Sequence, residues 1–301
     1  MKTICFPATN RVHIARQQLL LDELRKNFNV VIFEPTTTPA SKSVFAIFCA
    51  VEFNNFLSNH QDVDSVLIRG DRYEMLGLAM VAAYRDFKII HIEGGDLSGA
   101  IDNKVRYAIT HLSDYHFCTN EESHARLIQN GVSVDKVWNC GSLDVEYAKQ
   151  VPEQKLEDEP YILVAFHPIE GEDENEVERA ILQFPNYKII NIASNKDYGK
   201  QYGTETYSPD DYINLIRYAR VAVGNSSSFL KEASILGTPV VNVGDRQVKR
   251  LKPKNVVDVP CKAGRIRSAI DFQMENKFEP DLTYYQEDSS KKIAKTLTEV
   301  L

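Results

Sequence analysis

SVLIRGDRYEMLGLAMVAAYRDFKIIHIEGGDLSGAIDNKVRYAITHLSDYHFCTN, residues 65–120, alternates short apolar runs with helical patterns. SVLIRG (65–70), KIIHIEGG (88–95) and YHFCTN (115–120) read as strands, while MLGLAMVAAYRD (75–86) and NKVRYAITHLSD (103–114) read as helices. The strand runs are almost uniformly apolar instead of alternating with polar residues. That composition belongs to a parallel sheet covered by helices on both faces.

The same alternation extends outward. Upstream lie a strand at TICFPA (3–8), a helix at HIARQQLLLDELRKN (13–27), a strand at NVVIFEP (29–35) and a helix at 43–59. Downstream lie a helix at EESHARLIQNG (121–131), closed by glycine, and a strand at KVWNCG (136–141). VPEQKLEDE (151–159) is charged and poor in apolar residues, so it reads as a linker. The pattern then restarts: strand YILVAFHP (161–168), helix 172–184, strand YKIINIAS (187–194) and helix SPDDYINLIRYAR (208–220). It continues with strand VAVGNS (221–226), helix SFLKEASILG (228–237), strand PVVNVG (239–244), strand NVVDVP (255–260) and a helix near 264–275. The expected organisation is two α/β domains, 1–150 and 151–301, each a doubly wound, Rossmann-like parallel sheet, facing each other across a cleft. The last helix, 289–301, is a candidate to pack back on the first domain.

The 301 residues are 43% hydrophobic and 26% charged, which excludes disordered, collagenous and low-complexity classes. A net charge of -7 gives no whole-chain attraction to nucleic acid or anionic membrane. No apolar stretch is long enough for a transmembrane helix, and the N-terminus makes a poor signal peptide. Cys5, Cys49, Cys118, Cys140 and Cys261 are widely spaced and contain no CxxC, so neither a zinc site nor a disulfide framework is expected. The plain reading is a cytoplasmic protein.

Ligands of parallel sheets bind beyond the carboxyl ends of the strands. Five such segments carry chemistry. RGDRYE (69–74) offers Asp71, Arg72 and Glu74 after a glycine turn. HIEGGD (91–96) offers Glu93 and Asp96 around a Gly-Gly pair. GAIDNKVRY (99–107) places Asp102 and Arg106 four residues apart, on one helical face. AFHP (165–168) ends a strand on His167, and GNSSSFLKEASILGTP (224–239) is a serine-rich strand-to-helix turn. Each has an ordinary alternative: Asp102 as a helix cap, Gly94-Gly95 as a turn, Asp71 and Arg72 as a surface pair. Asp71, Glu93, Asp96 and Asp102 nevertheless follow successive strands of one sheet. Gathered on one rim, carboxylates raise one another's pKa and supply proton donors and acceptors. Ser226, Ser227 and Ser228 at a helix start suit an anion, Glu232 suits a diol, and Arg246 is the basic residue nearest a strand end.

GDRYEMLGLAMVAAYRDFKIIHIEGGDLSGAIDNKVRYAITHLSDYHF and VGNSSSFLKEASILGTPVVNVGDRQ resemble the hydrolysing UDP-N-acetylglucosamine 2-epimerases of sialic-acid biosynthesis, from about residue 60 to the C-terminus. The resemblance implies a GT-B-like fold and a UDP-sugar substrate bound between the domains. It implies removal of the proton at sugar carbon 2 as UDP leaves carbon 1, then hydration of a glycal-like intermediate to N-acetylmannosamine. It implies no metal or other cofactor. Asp71, Asp96 and Asp102 match the family's catalytic carboxylates, His167 its HP histidine, Ser226, Ser227 and Ser228 its phosphate-binding serines, and Glu232 its ribose ligand. Arg11, Arg72, Arg106 and Arg246 complete the expected substrate-binding set, and a homodimer or higher homo-oligomer is the expected assembly.

The sequence departs from the family at three places. HIEGGD stands where HIHGGE is usual, so Asp96 is one methylene shorter and Glu93 resembles the glutamate of the non-hydrolysing epimerases, which return UDP-ManNAc. ATNRVHI keeps only Arg11 of the usual GTRADYG. The chain before GDR is shorter by roughly one strand-helix unit. The alternatives to a hydrolysing epimerase are therefore a non-hydrolysing epimerase, a nucleotide-sugar-binding homologue without catalysis, and a GT-B glycosyltransferase.

Overall fold

Every apolar run in the opening stretch becomes a parallel strand. The structure, a computed structural model, describes residues 1–9, 11–36, 41–99, 102–169, 171–193 and 203–301; of Arg11, Val12, His13 and Ala15 it describes the backbone alone. The chain divides into two compact units, Met1–Glu146 with Gln286–Leu301, and Tyr147–Tyr285.

The first unit contains β1 (Thr3–Pro7), α1 (Arg11–Arg25), β2 (Asn29–Phe33), α2 (Lys42–Asn59), β3 (Val63–Arg69), α3 (Tyr73–Tyr84) and β4 (Lys88–Ile92). It continues with α4 (Asp102–Leu112), β5 (Tyr115–Cys118), α5 (Glu121–Gln129), β6 (Val137–Asn139) and the start of α6 (Leu143–Gln150). The six strands form one sheet in the order β2-β1-β3-β4-β5-β6. All its pairings are parallel, for example Ser65↔Lys88 through Arg69↔Ile92. Because side chains alternate along a strand, the sheet splits its apolar residues between two faces. Ile4, Phe6, Leu67, Ile90 and Phe117 pack with Leu20, Leu21 and Leu24 of α1. Cys5, Val66, Ile68 and Ile89 face the other way, against Phe45, Cys49, Phe53 and Leu57 of α2 and Met75, Leu78 and Ala82 of α3.

The second unit contains β7 (Tyr161–Ala165), α7 (Glu174–Ile181), β8 (Lys188–Asn191), α8 (Pro209–Tyr218), β9 (Val221–Gly224), α9 (Glu232–Leu236), β10 (Val240–Val243), β11 (Val256–Val259) and α10 (Ala263–Glu275). Its parallel sheet runs β11-β10-β9-β7-β8. Ile162, Val164, Val221, Val223, Val241 and Val243 pack on one face against Val177 and Ile181 of α7 and Ile266 and Ile270 of α10. The chain closes with α11 (Ser289–Val300), which adds Ile293, Ala294 and Leu297 to the α1 side of the first unit's core.

Two local expectations are corrected. The single helix over 228–237 is instead a 3-10 turn, Ser227–Phe229, followed by the five-residue α9. Helix α6, rich in charge and directly before the linker, has no counterpart among the expected elements. Its apolar residues Leu143, Val145 and Ala148 are nonetheless buried. Among the described residues no helix is long and apolar enough to cross a membrane.

Candidate active site

Counted within its own unit, each sheet has the same strand order, with the second strand outside the first and the third on its other side. That order reverses direction between β1 and β3 in the first unit and between β7 and β9 in the second. A doubly wound sheet opens its binding crevice at such a switch point, beyond the carboxyl ends. The chain leaves β1 at Ala8-Thr9, β3 at Gly70-Asp71, β7 at Phe166-His167 and β9 at Asn225-Ser226. Among the expected site residues, Asp71, Arg72, His167 and Ser226–Ser228 follow these exits, while Glu93 and Asp96 follow β4.

In the first unit, Gly70 turns the chain out of β3 with φ 74. Asp71 then forms an ion pair with Arg106, whose side chain is only 3% exposed. The same guanidinium donates to the Asp96 carbonyl at 2.7 Å and to Asn103 Oδ1 at 2.8 Å. Asn103 also accepts from Ser98 N at 2.9 Å and donates to Ser98 O at 2.6 Å, closing the loop before α4. Arg106 thus joins three segments, after β3, after β4 and at the start of α4. Asp102 opens that helix as its first residue.

The Gly-Gly pair is a packing requirement. Gly95 has φ 82, and a Cβ there would lie 2.4 Å from Ser123 O. The close approach lets Asp96 Oδ1 accept from Thr119 Oγ1 at 2.9 Å and Ser123 Oγ at 2.7 Å. Glu93 adopts φ 68, a left-handed conformation that glutamate seldom takes. Its Oε1 accepts from Arg69 Nη2 at 2.9 Å, and that same nitrogen donates to Asp144 Oδ2 at 2.7 Å. Arg72 donates through Nε to Glu74 Oε1 at 2.6 Å, and Thr9 Oγ1 donates to the same oxygen at 2.7 Å. Glu74 is fully buried and so ties the end of β1 to the turn after β3.

In the second unit, Gly224 ends β9 with φ 142, where a Cβ would lie 2.2 Å from Ala165 O. Glycine therefore lets the ends of β7 and β9 meet. Asn225 clasps the join: its Oδ1 accepts from His167 N at 2.7 Å and its Nδ2 donates to His167 O at 2.9 Å. The Asn225 carbonyl accepts from Arg246 Nη1 at 2.7 Å and Gln247 Nε2 at 3.0 Å. Burial, followed by the charge of Arg246, pushes the His167 imidazole down to about 3. It is therefore neutral near pH 7, with one ring N–H to donate. Ser226 and Ser228 hydroxyls lie 2.8 Å apart, and Ser228 meets Tyr212 Oη at 2.6 Å. Glu232 opens α9 and is 2% exposed.

Asp71, Arg106 and the backbone of Asp96 are joined directly, while Arg72 is held by Glu74 together with Thr9. Glu93 belongs to a neighbouring network with Arg69 and Asp144. The carboxylates thus meet cations and hydroxyls instead of forming a bare acidic cluster. His167, Ser226, Ser228 and Arg246 gather around Asn225 and Tyr212, with Ser227 beginning the 3-10 turn. The Arg11 side chain lies outside the described residues. Arg69, Asp144, Thr119 and Asn225 are not among the residues that the sequence singles out, whereas Glu74 is one of the residues offered by RGDRYE. Asn225 had a legible signal, the Asn of GNSSS directly after a strand; the others meet only through tertiary packing. Among the described residues no group of three or more His, Cys, Asp or Glu side chains is arranged to hold a metal ion.

The chain is 32% identical to the polysialic acid biosynthesis protein P7 of Escherichia coli, over 89% of this chain and 76% of that protein. It is 29% identical to the hydrolysing GDP/UDP-N,N'-diacetylbacillosamine 2-epimerase of Campylobacter jejuni, over 69% of this chain and 64% of that protein. Its fold matches the crystal structure of UDP-GlcNAc 2-epimerase from Neisseria meningitidis bound to UDP-GlcNAc with a TM-score of 0.82. That match has 17% identity and covers 99% of this chain and 100% of the other, so the two share a GT-B-type pair of parallel-sheet domains. A family model described as UDP-N-acetylglucosamine 2-epimerase matches residues 41–298. The chain belongs to the UDP-N-acetylglucosamine 2-epimerase family.

Proposed function

We propose that the protein is a hydrolysing UDP-GlcNAc 2-epimerase, converting UDP-GlcNAc and water to ManNAc and UDP. The observation that carries this reading is the junction after β3, where Arg106 links Asp71, the loop of Asp96 and the helix of Asp102. One guanidinium thereby pairs with the Asp71 carboxylate and braces the backbone of Asp96 and the first turn of the helix that Asp102 opens. One of the Asp71, Asp96 and Asp102 carboxylates takes the proton from sugar carbon 2. The electrons of that C–H bond form the carbon 1–carbon 2 double bond, and the carbon 1–oxygen bond breaks to release UDP. Water then adds across the double bond, its hydroxyl to carbon 1 and a proton to carbon 2 on the opposite face. Proton transfer and stabilisation of the leaving group suffice for these steps.

Ser226, Ser227, Ser228, Arg246 and neutral His167 hold the diphosphate in this proposal, and Glu232 holds the ribose. Arg11, Arg72 and Arg106 belong to the sugar side, and the enzyme works in the cytoplasm. The second reading, a non-hydrolysing epimerase giving UDP-ManNAc, is favoured by Glu93, whose unusual backbone and ion pair with Arg69 hold a fourth carboxylate in place. Incubation with UDP-GlcNAc in deuterated water, followed by NMR, separates the readings. Free UDP with carbon-2-deuterated ManNAc is the expected result. UDP-ManNAc would establish the second reading, and UDP binding without turnover would leave a binding homologue.

A further inference from the structure

Ser226 precedes the 3-10 turn Ser227–Phe229 in extended conformation. A serine there normally turns its oxygen back to accept from a backbone N–H of the turn it opens. Among the described residues Ser226 makes no such capping bond. Its Oγ lies instead 2.8 Å from Ser228 Oγ, and that oxygen lies 2.6 Å from Tyr212 Oη. Ser228 is 4% exposed, whereas Ser226 is half-buried. Three hydroxyls therefore stand in file, from α8 through a buried serine to an accessible one.

The phenol at the head of the file is fixed by its helix. Tyr212 lies in the first turn of α8, where its N donates to Ser208 O at 2.9 Å and Asp211 N donates to Ser208 Oγ at 3.1 Å. Asn214 then ties the helix to the linker: its Nδ2 donates to Pro152 O at 3.0 Å and its Oδ1 accepts from Gln154 N at 3.1 Å. Arg217 Nη2 adds a bond to Val151 O at 3.0 Å. Each hydroxyl of the file carries one proton. Two contacts use two of the three protons, so the direction of the file decides which end keeps the third. Running inward, it would leave Ser226 showing only lone pairs to a ligand, which disfavours an anion. Running outward, it leaves the third proton on Ser226. A phenol is a stronger donor than an aliphatic hydroxyl, which favours the outward direction, and each bond polarises the next.

We propose that Tyr212 is a positioning residue for the nucleotide: its phenol donates to Ser228, Ser228 donates to Ser226, and Ser226 is thereby set to donate to an oxygen of the diphosphate. The proposal rests on the placement of the diphosphate at the serine turn, and Ser228 then acts on the diphosphate through Ser226. Negative charge grows on the diphosphate as its bond to carbon 1 breaks. A donor already oriented toward it stabilises that charge without reorganisation.

Calorimetry with UDP, and NMR titration with uridine, which has no diphosphate, test this on the intact protein. Tyr212→Phe removes the phenol oxygen and keeps the ring. It is expected to weaken UDP binding about tenfold, the scale of one hydrogen bond to a charged group. Uridine affinity and melting temperature should stay as in the parent, and kcat with UDP-GlcNAc should fall together with the rise in KM. Ser228→Ala cuts the file at its middle and should give the same loss of UDP affinity. The double variant should lose no more than either single one, because both remove the same file. Parental UDP affinity in Tyr212→Phe overturns the proposal. So do losses that multiply in the double variant, since the two hydroxyls then act separately. An equal loss for UDP and uridine also overturns it, because Tyr212 would then prop the whole site. If the phenylalanine variant is unstable, parental UDP affinity in Ser228→Ala overturns the proposal in its place. A parent that does not bind UDP overturns the nucleotide assignment itself, and the proposal with it.

Discussion

At the scale of single residues, the ionisable groups divide into those held for chemistry and those held for the fold. Asp71 meets Arg106 while keeping about a quarter of its side chain exposed, so it remains accessible. Asp71→Asn and Asp102→Asn are each expected to lower turnover by about two orders of magnitude or more, the usual span for acid-base groups. Steady-state kinetics against UDP-GlcNAc checks this, and parent-like rates in both would remove these residues from the mechanism. Deuterium incorporation at carbon 2 in Glu93→Gln and Asp96→Asn then separates the remaining pair, with the larger loss expected for Asp96. His91 and His116 serve the fold. They are registered neighbours on β4 and β5, and burial pushes them to about 4 and about 3. Neutral His91 donates from Nε2 to Gly70 O at 3.0 Å and accepts at Nδ1 from Thr110 Oγ1 at 3.2 Å. Since both folded values lie below the ordinary 6.5, the unfolded chain binds more protons between them. Their stabilisation is therefore complete above 6.5 and is lost as the pH falls toward 4. Each costs about 1.4 kcal/mol per pH unit in that window. Denaturation of His116→Phe from pH 7 down to about 4.5 should show a shallower slope than the parent, and an equal slope would exclude this role for His116.

At the scale of elements, the functional segments are strand ends whose shape is set by close backbone approach. Gly224 is the clearest case, combining φ 142 with a carbonyl 2.2 Å from where a Cβ would be. Gly224→Ala is expected to cost about 3 kcal/mol through strain and displacement of β9 from β7. UDP affinity should fall as well, because Asn225 and the serine turn follow directly. Urea denaturation and calorimetry measure the two effects, and full stability in the variant would contradict the close approach. The serine turn itself gives a second expectation. Under the proposed assignment Glu232→Ala removes a charged hydrogen-bond partner of the ribose, worth about 1–3 kcal/mol. UDP binding should weaken from a few-fold to about a hundredfold, and unchanged affinity by calorimetry would exclude Glu232 as the ribose ligand.

At the scale of the whole molecule, the C-terminal helix belongs to the unit formed by the beginning of the chain. Ile293, Ala294 and Leu297 pack with Leu20, Leu21 and Leu24, and the Val300 carbonyl accepts from Tyr115 Oη at 3.0 Å. Glu146 Oε2 accepts from Ser290 N at 3.0 Å, which fixes the start of α11 beside α6. Removal of residues 289–301 strips Ile293 and Leu297 from the core, at roughly 1.5–3 kcal/mol for each large apolar side chain. The truncated protein should unfold at lower denaturant by about 4 kcal/mol or more, since Leu20 and Leu24 are uncovered at the same time. Denaturant titration followed by tryptophan fluorescence is suitable because Trp138, the chain's single tryptophan, packs against this cluster. An unchanged midpoint would mean that α11 adds nothing to the first unit.

The alternation of apolar runs with helical patterns determined the α/β class, the parallel sheets and nearly every element, because burial on both faces leaves a composition that can be read along the chain. The GDRYE, HIEGGD and GNSSS segments likewise set Asp71, Asp96 and Ser226–Ser228 just beyond strand ends, where such sheets bind ligands. Only the tertiary structure decided how those groups are held. Arg106 lies 35 residues from Asp71, and Arg69 lies 75 residues from Asp144. No local periodicity encodes such separations. The broken helix after Ser226 and the buried residues of the charge-rich α6 had the same origin, for short elements follow their packing more than their propensity.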